Sequence, residues 1–103
     1  MRKEVFYDKN ALKELREFNN EVQKEFRAYI AILVSEGRLE FPAARKVGKN
    51  LFEIRVTQED AYRAFYAYVR KEYIVLLHFF QKKTQKTPLK SIELAEKRLK
   101  KYE

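Results

Sequence analysis

Apolar residues recur at steps of three and four over the first third of the chain, with charged residues between them. This spacing is typical of amphipathic helices that each bury one face. Asn19 and Asn20 interrupt the series, and Asn20 with Gln23 resembles a capping box. The pattern therefore predicts a helix over about residues 9–18 and a second over about 21–36, ended by Gly37. The apolar positions are Ala11, Leu12, Leu15, Phe18, Val22, Phe26, Tyr29, Ile30 and Leu33.

The apolar pattern changes to a period of two from Leu51 onward. Three segments rich in Phe, Tyr, Val and Ile are separated by short polar breaks, which predicts a three-stranded antiparallel meander. Residues 3–7 are predicted to add a short edge strand, and residues 38–50, which lack a sustained period, are predicted to form a connecting loop. The predicted strands of the meander span residues 51–57, 61–69 and 73–81.

A last amphipathic segment follows the meander. Thr87 is predicted to cap a closing helix that Pro88 opens. The order of elements is then strand, two helices, three strands and helix, which indicates an α+β fold, and 103 residues suffice for one domain, residues 1–103. The apolar stripe of the closing helix consists of Leu89, Ile92, Ala95, Leu99 and Tyr102.

Strand parity predicts which side chains share a face of the sheet. If residues 58–60 form the first hairpin loop, Arg55 stands directly opposite Arg63. If the second loop has two or four residues, Val69 opposes Ile74, and the face of Arg63 continues through Phe65 and Ala67 onto Ile74, Leu76, His78, Phe80 and Lys82. The opposite face is the predicted core, with Phe52, Ile54, Val56, Tyr62, Ala64, Tyr66, Val75, Leu77 and Phe79. A partly open face is predicted to carry Glu53, Arg55, Arg63, His78 and Lys82.

Composition narrows the class of function. Hydrophobic residues make up 46% of the chain, which excludes disorder for most of it. The 23 Lys and Arg exceed the 15 Asp and Glu by eight, and this surplus points to polyanionic partners such as nucleic acid or an acidic protein. Cysteine is absent and His78 is the single histidine, which excludes disulfides and thiol catalysis and suggests neither a metal nor a cofactor.

No segment of the sequence resembles a membrane span or a signal peptide. The longest run without Asp, Glu, Lys or Arg is residues 73–81, less than half of the ~20 residues that a span needs. The N-terminal residues lack the apolar core of a signal peptide. We therefore expect a cytoplasmic location and no membrane partner.

The facing arginines suggest phosphate chemistry. A guanidinium group binds phosphate oxygens in a bidentate manner, so Arg55 and Arg63 on adjacent strands would bracket one phosphate. The alternative is that each arginine pairs with Glu53 or Glu59 on a solvated face. His78 is a candidate general base because it titrates near neutrality, or it is a satisfied histidine within a central strand.

Lysines and neutral donors cluster immediately after the last predicted strand. Lys82 and Lys83 could transfer protons, because a lysine close to arginines loses part of its proton affinity; solvated surface charge is the alternative. The helix lysines would suit either ribosomal RNA phosphates or an acidic segment of a partner protein. The candidate RNA-binding residues are Lys46, Thr84, Gln85, Lys86, Lys97, Lys100 and Lys101.

The second half of the chain resembles a known family. The run L-F-E-I-R-V at residues 51–56, Y-R-A-F-Y at 62–66 and K-K-T-Q-K-T-P at 82–88 resemble the RelE/HigB superfamily of toxins from type II toxin–antitoxin systems, in its HigB-like, phage-derived branch. The resemblance implies a RelE-like toxin fold with a curved antiparallel sheet of three to four strands. It also implies ribosome-dependent mRNA cleavage and neutralisation by an antitoxin, often one with a helix-turn-helix.

Two other functions remain open at this point. ParE-like proteins share the fold and inhibit DNA gyrase by binding it, without nuclease activity. A basic module that only binds RNA or DNA would need no more than the positive surface. Under the cleavage hypothesis, the candidate catalytic residues are Arg55, Arg63, Lys82, Lys83 and His78.

Overall fold

The sheet is the centre of the fold. The computed structural model describes residues 2–57, 61–83 and 88–103, and these form an α+β fold with a five-stranded sheet in the order β1-β5-β4-β3-β2. β1 pairs in parallel with β5, and every other pairing is antiparallel. The elements are β1 (Glu4–Tyr7), α1 (Lys9–Arg16), α2 (Asn20–Glu36), β2 (Ala44–Gly48), β3 (Leu51–Thr57), β4 (Ala61–Val69), β5 (Tyr73–Lys82) and α3 (Leu89–Leu99).

The two predicted N-terminal helices are present, and each begins at an N-cap residue that the sequence pattern did not identify. Asp8 caps α1, because its carboxylate accepts hydrogen bonds from the backbone N–H groups of Asn10 and Ala11. Asn19 caps α2 through the Val22 N–H, so the capping box predicted at Asn20 is wrong. Gly37 ends α2 in the left-handed conformation at φ 79°, as predicted, and glycine adopts this conformation without steric cost.

The prediction of a loop over residues 38–50 is wrong, because this segment contains β2. The strand is short and exposes Arg45 and Lys46, and its register shifts between Lys46 and Gly48. A polar edge strand with a register shift has no regular alternation, so pairing with β3 rather than local pattern defines it. The sheet therefore has five strands where three or four were predicted, and the parallel β1 makes it mixed.

A bulge in β5 changes the predicted faces. Arg55 does lie opposite Arg63, and Val69 pairs with Tyr73 rather than with Ile74. The register shifts after the pair of Phe65 with His78, and Tyr66 then pairs with Leu76, which leaves Leu77 as the extra residue. A one-residue bulge inverts the parity of the rest of a strand. The prediction is therefore wrong for Ile74, Val75, Leu76 and Leu77, each of which lies on the other face.

Both faces of the sheet carry a core. The larger core packs α1 and α2 against one face, and α3 packs against the other. The partly open face predicted around Arg63 is therefore mostly closed: Glu53, Arg63 and His78 are buried. In the closing helix Ala95 and Leu99 are buried, as the stripe predicts.

The first turn of the closing helix departs from its predicted stripe. Leu89, the first residue of α3, is 70% exposed. Pro88 occupies the N-cap position and makes no side-chain cap, and the cap predicted at Thr87 lies outside the described residues. Within the described part of the chain, no helix has the length and apolar character needed to cross a membrane.

Candidate functional site

Four strands contribute positive side chains to one area of the α3-facing side of the sheet. Arg55 on β3 and Arg63 on β4 are direct cross-strand partners, and Arg45 on β2 pairs with Glu53 on β3. Lys82 lies at the end of β5, opposite the first residue of β4. We call Arg45, Arg55, Arg63 and Lys82 the basic cluster. Like charges placed opposite each other in a sheet are destabilising, so this arrangement requires a compensating negative charge.

A buried carboxylate lies within the basic cluster. The Glu53 side chain is fully buried, and its Oε1 lies 3.1 Å from Arg45 Nε and 3.7 Å from Arg63 Nε. Arg63 donates through Nη1 to the Tyr62 carbonyl at 2.9 Å, whereas its buried Nε has no hydrogen-bond partner. Glu53 holds the arginines in place but leaves a surplus of positive charge.

The charges of the cluster influence one another's protonation. Burial and the nearby Arg55 and Arg45 lower the pKa of Arg63, against the opposing charge of Glu53. Burial and the charge of Arg63 also lower the pKa of Lys82, although Glu53 opposes this shift. A lysine with a lowered pKa exchanges a proton more readily near neutral pH. The cluster can therefore attract an anion and present a proton-transfer group beside it.

His78 lies in a separate polar network. Its Nδ1 lies 2.9 Å from Glu14 Oε1, and its ring stacks on Phe80 at a centroid distance of 5.0 Å. The Glu14 carboxylate also accepts hydrogen bonds from the Phe79 N–H and from Nη1 and Nη2 of Arg98, which in turn donates to the Leu77 carbonyl. This network joins α1, β5 and α3, and it favours the interpretation of His78 as a satisfied histidine.

The other predicted RNA-binding residues are spread over the surface. Lys46 is exposed on β2, and Lys83, which was predicted as a catalytic residue, is exposed just after β5. Lys97 and Lys100 line a groove of about 640 Å³ that contains no residue of the basic cluster, and Lys101 Nζ lies 3.4 Å from Asp8 Oδ2. Thr84, Gln85 and Lys86 lie outside the described residues.

Sequence reasoning assigned no functional role to three residues in these networks. Arg45 lies in the segment predicted as a loop, so its place beside Glu53 could not be anticipated. Glu14 and Arg98 are 84 positions apart on separate helices, and only the tertiary fold brings them together. Across the ranges 2–57, 61–83 and 88–103, no group of three or more His, Asp or Glu side chains is arranged to hold a metal ion.

The sheet order and the helix placement define a RelE-like fold. The structure is similar to a mutant of the E. coli toxin RelE in the free state, with a TM-score of 0.74 and 17% identity over 96% of this chain and 99% of that chain. RelE in the intact E. coli RelBE toxin–antitoxin complex gives a TM-score of 0.66 and 16% identity over 80% and 99% of the two chains.

A third structure with this fold is the archaeal RelE–RelB complex of Pyrococcus horikoshii OT3. It gives a TM-score of 0.59 and 21% identity over 79% of this chain and 96% of that chain. No curated protein sequence matches. The family model described as "Phage derived protein Gp49-like (DUF891)" matches residues 13–100, and the chain therefore belongs to this family.

Proposed function

We propose that this protein is the toxin of a type II toxin–antitoxin system and that it cleaves mRNA on the ribosome without a metal ion. The observation that carries the proposal is the basic cluster, in which Arg55 faces Arg63 and Lys82 lies beside them. The likeness of the fold to RelE, one example of which is in complex with an antitoxin, supports the toxin assignment.

The proposed chemistry is attack of a ribose 2′-oxygen on the adjacent phosphorus. The new P–O bond gives a 2′,3′-cyclic phosphate, and the 5′-oxygen leaves with a proton. Arg55 and Arg63 would stabilise the charge that develops on the non-bridging oxygens. Lys82 or Lys83 would transfer protons, the neutral amine accepting from the 2′-hydroxyl or the protonated amine donating to the 5′-oxygen.

The remaining predicted residues have supporting roles in this proposal. His78 would position β5 through Glu14 rather than exchange protons. The RNA-binding surface would include Lys46, the segment Thr84, Gln85 and Lys86, and the helix residues Lys97, Lys100 and Lys101. The partner would be a cognate antitoxin, often one with a helix-turn-helix, and the action would take place where ribosomes work, in the cytoplasm.

Inducible expression in bacteria followed by 5′-end mapping of mRNA tests this function. We expect growth inhibition together with new 5′ ends at defined positions within codons of translated reading frames. Growth inhibition without new ends, accompanied by loss of gyrase supercoiling, would instead indicate a ParE-like protein. Normal growth and intact mRNA would indicate a module that only binds nucleic acid.

Two sets of lysine variants separate binding from chemistry. Replacing Lys97, Lys100 and Lys101 by Gln should reduce the salt slope of ribosome binding by about 0.7 to 0.9 per phosphate contact, with little change in the single-turnover rate of cleavage. Replacing Lys82 and Lys83 by Gln should mainly lower that rate. Full single-turnover rates in the Lys82/Lys83 double variant would assign both lysines to binding alone.

A further inference from the structure

A cleft opens beside Arg55, where the pairing of β2 with β3 ends. It measures about 430 Å³ and is lined by Tyr29, Pro42, Ala43 and Arg55. This volume lies within the range of about 300–1,000 Å³ that small-ligand sites occupy. The cleft therefore adjoins the basic cluster through a shared residue.

The backbone explains why the cleft exists. The pairing of β2 with β3 ends at Ala44 and Ile54, so Arg55 lies one residue beyond the paired region. The Arg55 N–H instead donates to the Ala43 carbonyl at 2.9 Å, which holds the preceding loop against β3. The loop and α2 thus form the walls of the cleft, and β3 contributes Arg55.

Tyr29 supplies an anchored aromatic ring to this cleft. The residue lies in the middle of α2 and is half-buried, because part of the ring packs against the core between the helices and the sheet. A ring fixed in this way loses little conformational freedom when it stacks on a ligand. Phe41, next to Pro42, is 74% exposed and lies at the same loop.

We propose that this cleft, at the strand edge where Arg55 links it to the basic cluster, binds one unpaired nucleobase of the RNA. RNA-binding proteins commonly stack splayed bases on aromatic rings or on arginine planes. Among the described residues that line the cleft, the Tyr29 ring and the Arg55 guanidinium are the two planar groups on which a base could stack. The inference rests on the proposed function for its choice of RNA as the ligand.

The test compares a hexamer of adenosine nucleotides with a ribose–phosphate hexamer that lacks bases, using fluorescence anisotropy. The variant Tyr29→Leu keeps apolar volume in the core but removes the ring, and Tyr29→Phe keeps the ring. We expect Tyr29→Leu to bind the adenosine hexamer about tenfold more weakly and the abasic hexamer unchanged. Tyr29→Phe should match the original protein on both.

Ile32→Ala is the matched control, because Ile32 is exposed on the same helix but does not line this cleft. It should bind both hexamers as the original protein does. Equal affinity of Tyr29→Leu and the original protein for the adenosine hexamer would overturn the inference. Equal weakening for the two hexamers would also overturn it, since the base would then make no contribution. Absence of any RNA binding by the original protein would overturn it as well.

Cleavage of mRNA on programmed ribosomes distinguishes this inference from the proposed function. If the original protein cleaves and Tyr29→Leu cleaves at the same rate with unchanged affinity for the adenosine hexamer, the base site fails and the function stands. If Tyr29→Leu loses base-dependent binding while the original protein leaves ribosomal mRNA uncut, the base site stands and the nuclease function fails.

Discussion

The variant Arg63→Ala is expected to cleave mRNA on programmed ribosomes about a hundredfold more slowly under single-turnover conditions, a loss of ~3 kcal/mol of transition-state stabilisation. Arg63 is 4% exposed and lies 3.7 Å from the buried Glu53, so its guanidinium is held in one position opposite Arg55. Preorganised donors stabilise developing charge more strongly than mobile surface groups do. Growth inhibition on expression should disappear in parallel.

Two controls make this result interpretable. Arg63→Lys keeps the positive charge without the bidentate geometry and should retain an intermediate rate. Arg16→Ala removes one exposed arginine from α1 and should leave the rate unchanged. Because Arg63→Ala removes a cation 3.7 Å from the buried Glu53, its folding must be checked by urea denaturation. A folded Arg63→Ala protein with the full cleavage rate would exclude Arg63 from the site.

The variant Glu14→Ala is expected to lower the free energy of unfolding by ~3 kcal/mol, because it leaves a mostly buried cation without its partner. Both side-chain nitrogens of Arg98 that bond Glu14 lie within 3.1 Å of its oxygens, and only 12% of the Arg98 side chain is exposed. The Phe79 N–H also loses its acceptor. Urea denaturation measures the change, with Glu17→Ala, at the exposed C-cap residue of the same helix, as control. Equal loss in the two variants would contradict this role.

The same contacts predict a dependence on acidic pH. Burial raises the pKa of Glu14, but hydrogen bonds from His78, Arg98 and the Phe79 N–H outweigh it and lower that pKa below its ordinary value. At pH values above the unfolded-state pKa of about 4.3, the lowered pKa of Glu14 stabilises the folded protein. This stabilisation is lost as the pH falls through the folded-state pKa. Stability should thus decline more steeply below about pH 4 in the original protein than in Glu14→Gln. Parallel curves of unfolding free energy against pH for the two proteins would contradict this expectation.

Much of the fold could be predicted because local sequence determines it. The apolar stripes of α1 and α2 and the end of α2 at Gly37 each depend on residue spacing within a single helix. The structure places all three as predicted. The bulge at Leu77 could not be predicted, because it depends on how β5 meets its neighbours rather than on its own pattern. The short β2 was missed for a similar reason, since its pairing with β3 defines it.

The basic cluster was predictable only where a hairpin connects its parts. The assumption of a three-residue loop between the two strands was sufficient to predict that Arg55 lies opposite Arg63, as it does. The burial of Glu53 and the approach of Arg45 depend on β2, and the Glu14 network depends on α3 packing beside β5, so neither has a local signal. The sequence also indicated an open face, whereas packing of α3 covers part of it.

Comparison of ribosome-bound with free mRNA tests the central claim most directly. A single mRNA is offered to the purified protein either bound in 70S ribosomes with an empty A site or free in solution, and the single-turnover cleavage rate is measured for each. The proposal predicts rapid cleavage within the A-site codon of the ribosomal complex and very slow or no cleavage of the free RNA. Equal rates on the two substrates, or an uncut ribosomal complex, would contradict it.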